Sequence, residues 1–211
     1  MTATADIEIA IPGLSASSPQ PLPFAPSLHA RAFLLKREQG DVLVYSTETQ
    51  KDPGSVSRWY LNHGHEAMFL PESMDAPLFV HEGDREAVEA KTHVRAAFSR
   101  RFTLDNDFEA IPTPGHTPGA TAYLWDNGQH RFLFTGDTIY LDEGEWVAAM
   151  LSSSDRAAYV DSLALLRELE FDVLVPWVAS EGQPYYAVTS QAEARRRIDA
   201  IVDRLVDGDS R

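Results

Sequence analysis

The stretch IPTPGHTPGATAYL, residues 111–124, decides how this chain is read. His116 stands between two Pro-Gly pairs, Pro114-Gly115 and Pro118-Gly119, directly after the apolar run FEAIPT. A histidine held in a sharp loop at a strand end is aimed rather than merely packed. Ahead of it, SRWYLN ends in Asn62-His63-Gly64-His65, two histidines one residue apart on another strand-end loop. Beyond it, HRFLFTGD ends in Gly136-Asp137. Strands that end on one edge of a sheet would bring His63, His65, His116 and Asp137 together. Three imidazoles and a carboxylate suit Zn²⁺ or Fe²⁺ with a coordination position left for water.

The chain has 211 residues, enough for one domain that buries roughly two-thirds or more of its unfolded surface. There is no cysteine, so disulfides, thiolate ligands and cysteine nucleophiles are excluded. With 18 Lys+Arg against 32 Asp+Glu the net charge is −14. That charge disfavours nucleic acid and anionic membranes as partners and leaves a small-molecule substrate as the expectation. The first residues lack both a basic start and a long apolar run, so neither a signal peptide nor a membrane anchor is expected, and a cytoplasmic location is the default.

Residues 13–28 are rich in Ser and Pro, so residues 1–28 read as an extended lead-in, with a single domain over 29–211. ARAFLLKRE and DVLVYST flank Gln39-Gly40 and predict a hairpin. GDREAVEAKTHVRAAFSRR predicts a helix over 83–101, with Ala87, Val94 and Phe98 on one face. FEAIPT, ATAYLWD and HRFLFTGD predict strands, the last two joined by Asp126-Asn127-Gly128. A helix follows the serines at 152–154, then the strand FDVLVPW, then a last helix that opens on Ser190 and Glu193 in capping-box spacing and stops near Gly208. This order suits a layered α/β domain.

NHGH, TPGHTPG and TGDT, in this order and at these separations, resemble the metallo-β-lactamase-fold superfamily, in particular its glyoxalase II-like branch. The resemblance covers roughly residues 30–205. It implies a four-layer αββα sandwich with a metal site at one edge. It also implies that His63, His65 and His116 are ligands of a first metal and that Asp137 matches a bridging carboxylate. The family pattern continues its first motif with an Asp and a His, and carries a last His in a later loop. Here Ala67, Met68 and Val178 occupy those places. A second cation would keep Asp137 alone, so the expected site holds one divalent metal, Zn²⁺ first, with Fe²⁺ or Mn²⁺ open. Glu66 and Glu181 are the nearby carboxylates that would take over the proton transfer of the missing Asp, beside Asp137 itself.

Three functional readings follow. One is hydrolysis of a small ester, lactone, thioester or phosphoester by a water activated at a single metal. A second is an Fe²⁺ oxygenase resembling persulfide dioxygenases, with His63, His116 and Asp137 as a two-histidine, one-carboxylate set. The third is a catalytically inactive binding module on the same fold. His29, His81, His93 and His130 have no motif around them and stay outside the site.

Overall fold

The computed structural model describes residues 11–50, 56–71 and 74–210. Residues 1–10 of the expected lead-in lie outside them. The rest of the Ser/Pro-rich stretch is not a loose approach to the fold: it forms β1 (Leu14–Ala16), β2 (Gln20–Leu22) and most of β3 (Ala25–Ala30). Pro21 is tolerated there because β2 is an edge strand, where a missing N–H leaves no ladder bond unmade.

The first sheet adds β4 (Phe33–Leu35), β5 (Asp41–Val44), β6 (Val56–Tyr60), β7 (Leu78–His81) and β8 (Ala96–Phe98) in the order β1-β4-β5-β6-β7-β8. β4 and β5 form the expected antiparallel hairpin, and Gly40 takes the φ of 110° that its turn needs. β6 lies parallel to β5, so its C-terminal end delivers Asn62 and His63 to the sheet edge.

The helix expected over residues 83–101 is realised only as α1 (Arg85–Glu89). Its buried residue is Val88, whereas Ala87 is exposed. The chain then leaves the helix and runs into β8, which pairs parallel with β7 and sets Phe98 opposite His81. A ladder between segments far apart in sequence satisfies the backbone there, and Thr92-His93-Val94 are weak helix formers, so pairing overrides the apolar period.

The second sheet has the order β17-β15-β12-β11-β10-β9. It consists of β9 (Phe102–Leu104), β10 (Phe108–Pro112), β11 (Thr121–Asp126), β12 (Arg131–Gly136), β15 (Val173–Pro176) and β17 (Ala187–Val188). A third, smaller sheet runs β14-β13-β16-β3-β2. Its remaining members are β13 (Tyr140–Asp142), β14 (Glu145–Val147) and β16 (Val178–Ser180).

Strand alternation divides the interior into two cores. Tyr123, Trp125, Phe132, Phe134, Val173 and Val175 join the first sheet's core. Their neighbours Ala122, Leu124, Leu133 and Leu174 join a second cluster with the helices α2 (Arg156–Arg167) and α3 (Gln191–Val206). Tyr159, Leu163 and Leu166 of α2 and Ile198, Ile201 and Leu205 of α3 supply the helical side, as their spacing predicts. Full burial of each such aliphatic side chain contributes about 1.5–3 kcal/mol. The cap of α2 is Asp155, which accepts from Ala158 N–H at 3.0 Å, rather than the preceding serines. Ser190 caps α3 as expected, accepting from Glu193 N–H.

Candidate metal centre

The loop after β6 is stitched in place from several sides. Thr121 N–H donates to Asn62 O at 2.8 Å, and the Asn62 side-chain amide donates to Thr121 O. His63 then opens a 3₁₀ turn, Gly64–Phe69. Its Nδ1 lies 3.0 Å from Asn62 Oδ1, an acceptor, so that nitrogen carries the proton and Nε2 keeps a lone pair. That Nε2 is buried without a hydrogen-bond partner.

The His116 loop is shaped by contacts that leave no room for a side chain at either glycine. A Cβ on Gly115 would come within 2.5 Å of Tyr159 Cα, and one on Gly119 within 2.6 Å of the Asp84 carboxyl carbon. His116 Nδ1 lies 2.6 Å from Ala149 O, which fixes the proton on Nδ1 and turns the Nε2 lone pair into the site. Buried Asp84 ties this loop to the first one. It accepts from Gly64 N–H at 2.7 Å, from the Thr117 hydroxyl at 2.5 Å and from Gly119 N–H at 3.0 Å.

Asp137 follows Gly136, whose φ of 55° and contact with Asn62 both exclude a side chain. Asp137 Oδ2 lies 3.5 Å from His63 Nε2 and 3.5 Å from His116 Nε2. His65 Nδ1 stands 3.0 Å from His116 Nε2, and the donor atoms of the three histidines all lie within 4.8 Å of one another. Two ligand atoms on one tetrahedral zinc, each about 2.0–2.1 Å from it, stand roughly 3.3–3.4 Å apart, so this spacing fits a single cation. Burial lowers the His63 pKa to about 3, helped by the charges of His116 and His65 and opposed by Asp137 and Asp84. Burial, then His116, also lowers that of His65. Both imidazoles are thus held in the neutral form that binds metal.

The structure brings four of the expected residues together and leaves two out. Glu66 is fully buried behind the loop. Its oxygens accept from Asn62 N–H at 2.7 Å, His63 N–H at 3.1 Å and Ser46 N–H at 2.9 Å. Burial pushes its carboxyl well above the usual range, against the pull of those N–H groups. It braces the backbone that carries His63 and does not line the cavity where a proton acceptor was expected of it. Glu181 is exposed beyond β16, where its N–H bonds Ser27 O, and it does not line the cavity beside the histidines. The reason is strand direction: β16 leads away from Val178, which does line the cavity.

A metallo-beta-lactamase superfamily family model matches residues 40–176. The chain belongs to that superfamily. Solved structures agree on the fold. A superfamily protein from the archaeon Sulfolobus tokodaii superposes with a TM-score of 0.60 at 17% identity, over 89% of this chain and 85% of that one. A family protein from Thermus thermophilus gives 0.60 at 16%, over 93% and 80%. BJP-1, a subclass B3 metallo-beta-lactamase of Bradyrhizobium japonicum, gives 0.59 at 14%, over 86% and 90%. A comparison with curated proteins finds no match.

Within the superfamily frame, the three departures sit in different surroundings. Ala67 is buried in the main core, Met68 is 55% exposed on the cavity rim, and Val178 is part of the cavity wall. None offers a hard donor. Sequence reasoning missed Asn62, Asp84 and the carbonyl of Ala149, which orient the histidines. Asn62 adjoins His63 and was within reach of a reading, but Asp84 lies 20 residues from Gly64 and 35 from Gly119, too far for any local pattern. No helix among the described residues is long and apolar enough to cross a membrane.

Proposed function

We propose that this protein is a hydrolase with a single divalent metal, Zn²⁺ by preference, acting on a small molecule with an ester-like bond. The observation that carries the reading is the buried, partnerless Nε2 of His63, set among His65, His116 and Asp137 at the base of an open cavity of about 410 Å³. Cavities of this size hold metabolite-sized ligands. A cation held by the three histidines would polarise the substrate's carbonyl oxygen and acidify a water.

The chain's own residues do the rest. His116 is oriented by Ala149 O and His63 by Asn62, so the donors keep their aim without reorganising. Asp137 lines the cavity, and with Glu66 and Glu181 elsewhere it is the carboxylate placed to take a proton from the attacking water on Oδ2. The water oxygen bonds to the carbonyl carbon, the bond to the leaving oxygen or sulfur breaks, and Asp137 returns the proton to the leaving group.

Equal 3.5 Å distances from Asp137 to His63 and His116 also support the two-histidine, one-carboxylate iron reading. His65, only 3.0 Å from His116, supports the three-imidazole zinc set over it. Elemental analysis of tag-free protein prepared without chelator tests both. One zinc per chain, lost in His116→Ala, is the expected result. One iron per chain with oxygen consumption on persulfides would replace hydrolysis by the oxygenase. No uptake on titration would leave the binding module.

A further inference from the structure

The cavity's lining carries information about the ligand beyond the metal chemistry. Six large apolar side chains are exposed among the described residues, and three of them, Phe24 at 70%, Met68 at 55% and Leu151 at 43%, line this one cavity. They come from three separate segments: the turn between β2 and β3, the 3₁₀ turn that contains His65, and the loop before α2. Single exposed apolar residues are ordinary, whereas several gathered around one opening mark a binding surface. Behind them Phe69, Trp177 and Val178 continue the apolar wall inward to the histidines.

The charges narrow the class further. Among the described residues no Lys or Arg lines the cavity, and the one acidic side chain among them is Asp137 at the base. The whole chain carries −14. A carboxylate or phosphate on the ligand, away from the reacting centre, would meet no cationic partner among the described lining residues and would lose its hydration against apolar walls. A neutral chain would gain from the same walls.

We infer that the site takes a neutral carboxylic ester or lactone bearing an apolar chain, with the chain lying along Phe69, Trp177 and Val178 toward the rim of Phe24, Met68 and Leu151. This assignment rests on the hydrolase reading for the bond that is cleaved and on the cavity alone for the chain. Phosphoesters and ligands with a free carboxylate are disfavoured.

The test begins with binding, which needs no metal. N-phenyl-1-naphthylamine, a neutral fluorescent probe, is titrated into chelator-treated protein and displaced with γ-decanolactone or with sodium decanoate. The lactone should displace it at concentrations at least tenfold lower than decanoate. Leu151→Asp and Met68→Glu, both at exposed positions, should weaken the probe at least tenfold with unchanged circular dichroism. Val188→Ser, an equally exposed apolar site outside the cavity, should leave binding unchanged. Absence of probe binding, or decanoate competing as well as the lactone, would overturn the ligand class. So would a dimer in sedimentation that Leu151→Asp dissociates, since a second copy would then be the occupant.

Turnover of p-nitrophenyl acetate, butyrate and octanoate by zinc-loaded protein separates the two readings. kcat/KM should rise with chain length, up to roughly fourfold per buried methylene. Selective lactone binding without turnover would overturn hydrolysis and leave the ligand class standing. Turnover that is flat with chain length and comes without probe binding would overturn the ligand class and leave hydrolysis standing.

Discussion

The hydroxyl of Tyr45 accepts a hydrogen bond from the backbone N–H of Gly136 at 2.7 Å and donates to Val175 O at 2.8 Å. Tyr45 follows β5 of the first sheet, whereas Gly136 and Val175 belong to β12 and β15 of the second. One phenol therefore spans the sandwich and holds the residue before Asp137. Tyr45 is fully buried and takes a φ of 70°, a conformation that costs a non-glycine residue about 1–2 kcal/mol and persists where its surroundings enforce it.

Tyr45→Phe should keep the fold and leave Gly136 N–H and Val175 O unpaired in the core. The expected loss is about 1–3 kcal/mol in urea unfolding, with weaker metal binding because Asp137 loses its fixed neighbour. Unchanged stability would mean that water replaces the hydroxyl and that the strut has no structural role.

Asp84→Asn should act on both histidine loops at once. The carboxylate accepts from Gly64, Thr117 and Gly119, and an amide turns an N–H toward at least one of these donors. Metal affinity, read by competition with a chromophoric chelator, should fall about 10–100-fold, as it does when groups that orient ligands are lost. An unaltered affinity with a lowered melting temperature would confine Asp84 to stability.

Glu66→Gln and Glu181→Gln should separate brace from bystander. Glu66→Gln loses acceptor capacity for Ser46, Asn62 and His63 and should cost about 1–3 kcal/mol. Glu181→Gln, on the surface, should stay within about ±0.5 kcal/mol and keep full turnover. Loss of turnover in Glu181→Gln alone would return that carboxylate to the mechanism.

The low pKa of His63 has a consequence for metal-free protein. The folded state keeps His63 neutral down to about 3, whereas in the unfolded chain it takes up a proton near 6.5. Unfolding therefore binds a proton between those values, so the contribution is fully present above 6.5 and is lost as pH falls toward 3. Measured against His63→Gln, which cancels most of the opposing effect of Glu66, wild-type stability should fall by about 1.4 kcal/mol per pH unit across that window. A difference that does not vary with pH would place the His63 pKa near its ordinary value.

The ligand loops are legible in the sequence because each is a short motif at the end of a strand with its own alternation, so Asn62-His63, His116 and Gly136-Asp137 announce themselves locally. The helix over 83–101 misleads because Val94 is buried in the core ahead of β8 and Phe98 is half-buried opposite His81 of β7, and their spacing mimics a helix face. The Ser/Pro-rich start misleads for a related reason. Its strands are held by partners such as Ala30 opposite Gln20 and Leu35 opposite Leu14, and no local pattern reports such pairing. Glu66 is indistinguishable by sequence from a catalytic carboxylate. Only the three N–H groups around it show which way it faces.

The two glycine seats of the His116 loop bear on which donors a metal would meet. Gly115 is wedged against Tyr159 and Gly119 against Asp84, so the loop that carries His116 is seated on both sides of the imidazole. Donor atoms 3.0 and 3.5 Å apart, in a histidine set within 4.8 Å, can meet on one cation with bonds of about 2.0–2.1 Å. Calcium, which asks for six to eight oxygen ligands, finds three imidazoles and one carboxylate here and is disfavoured by ligand chemistry. The tight turn thus fixes which donors a metal meets, and those donors are nitrogen-rich.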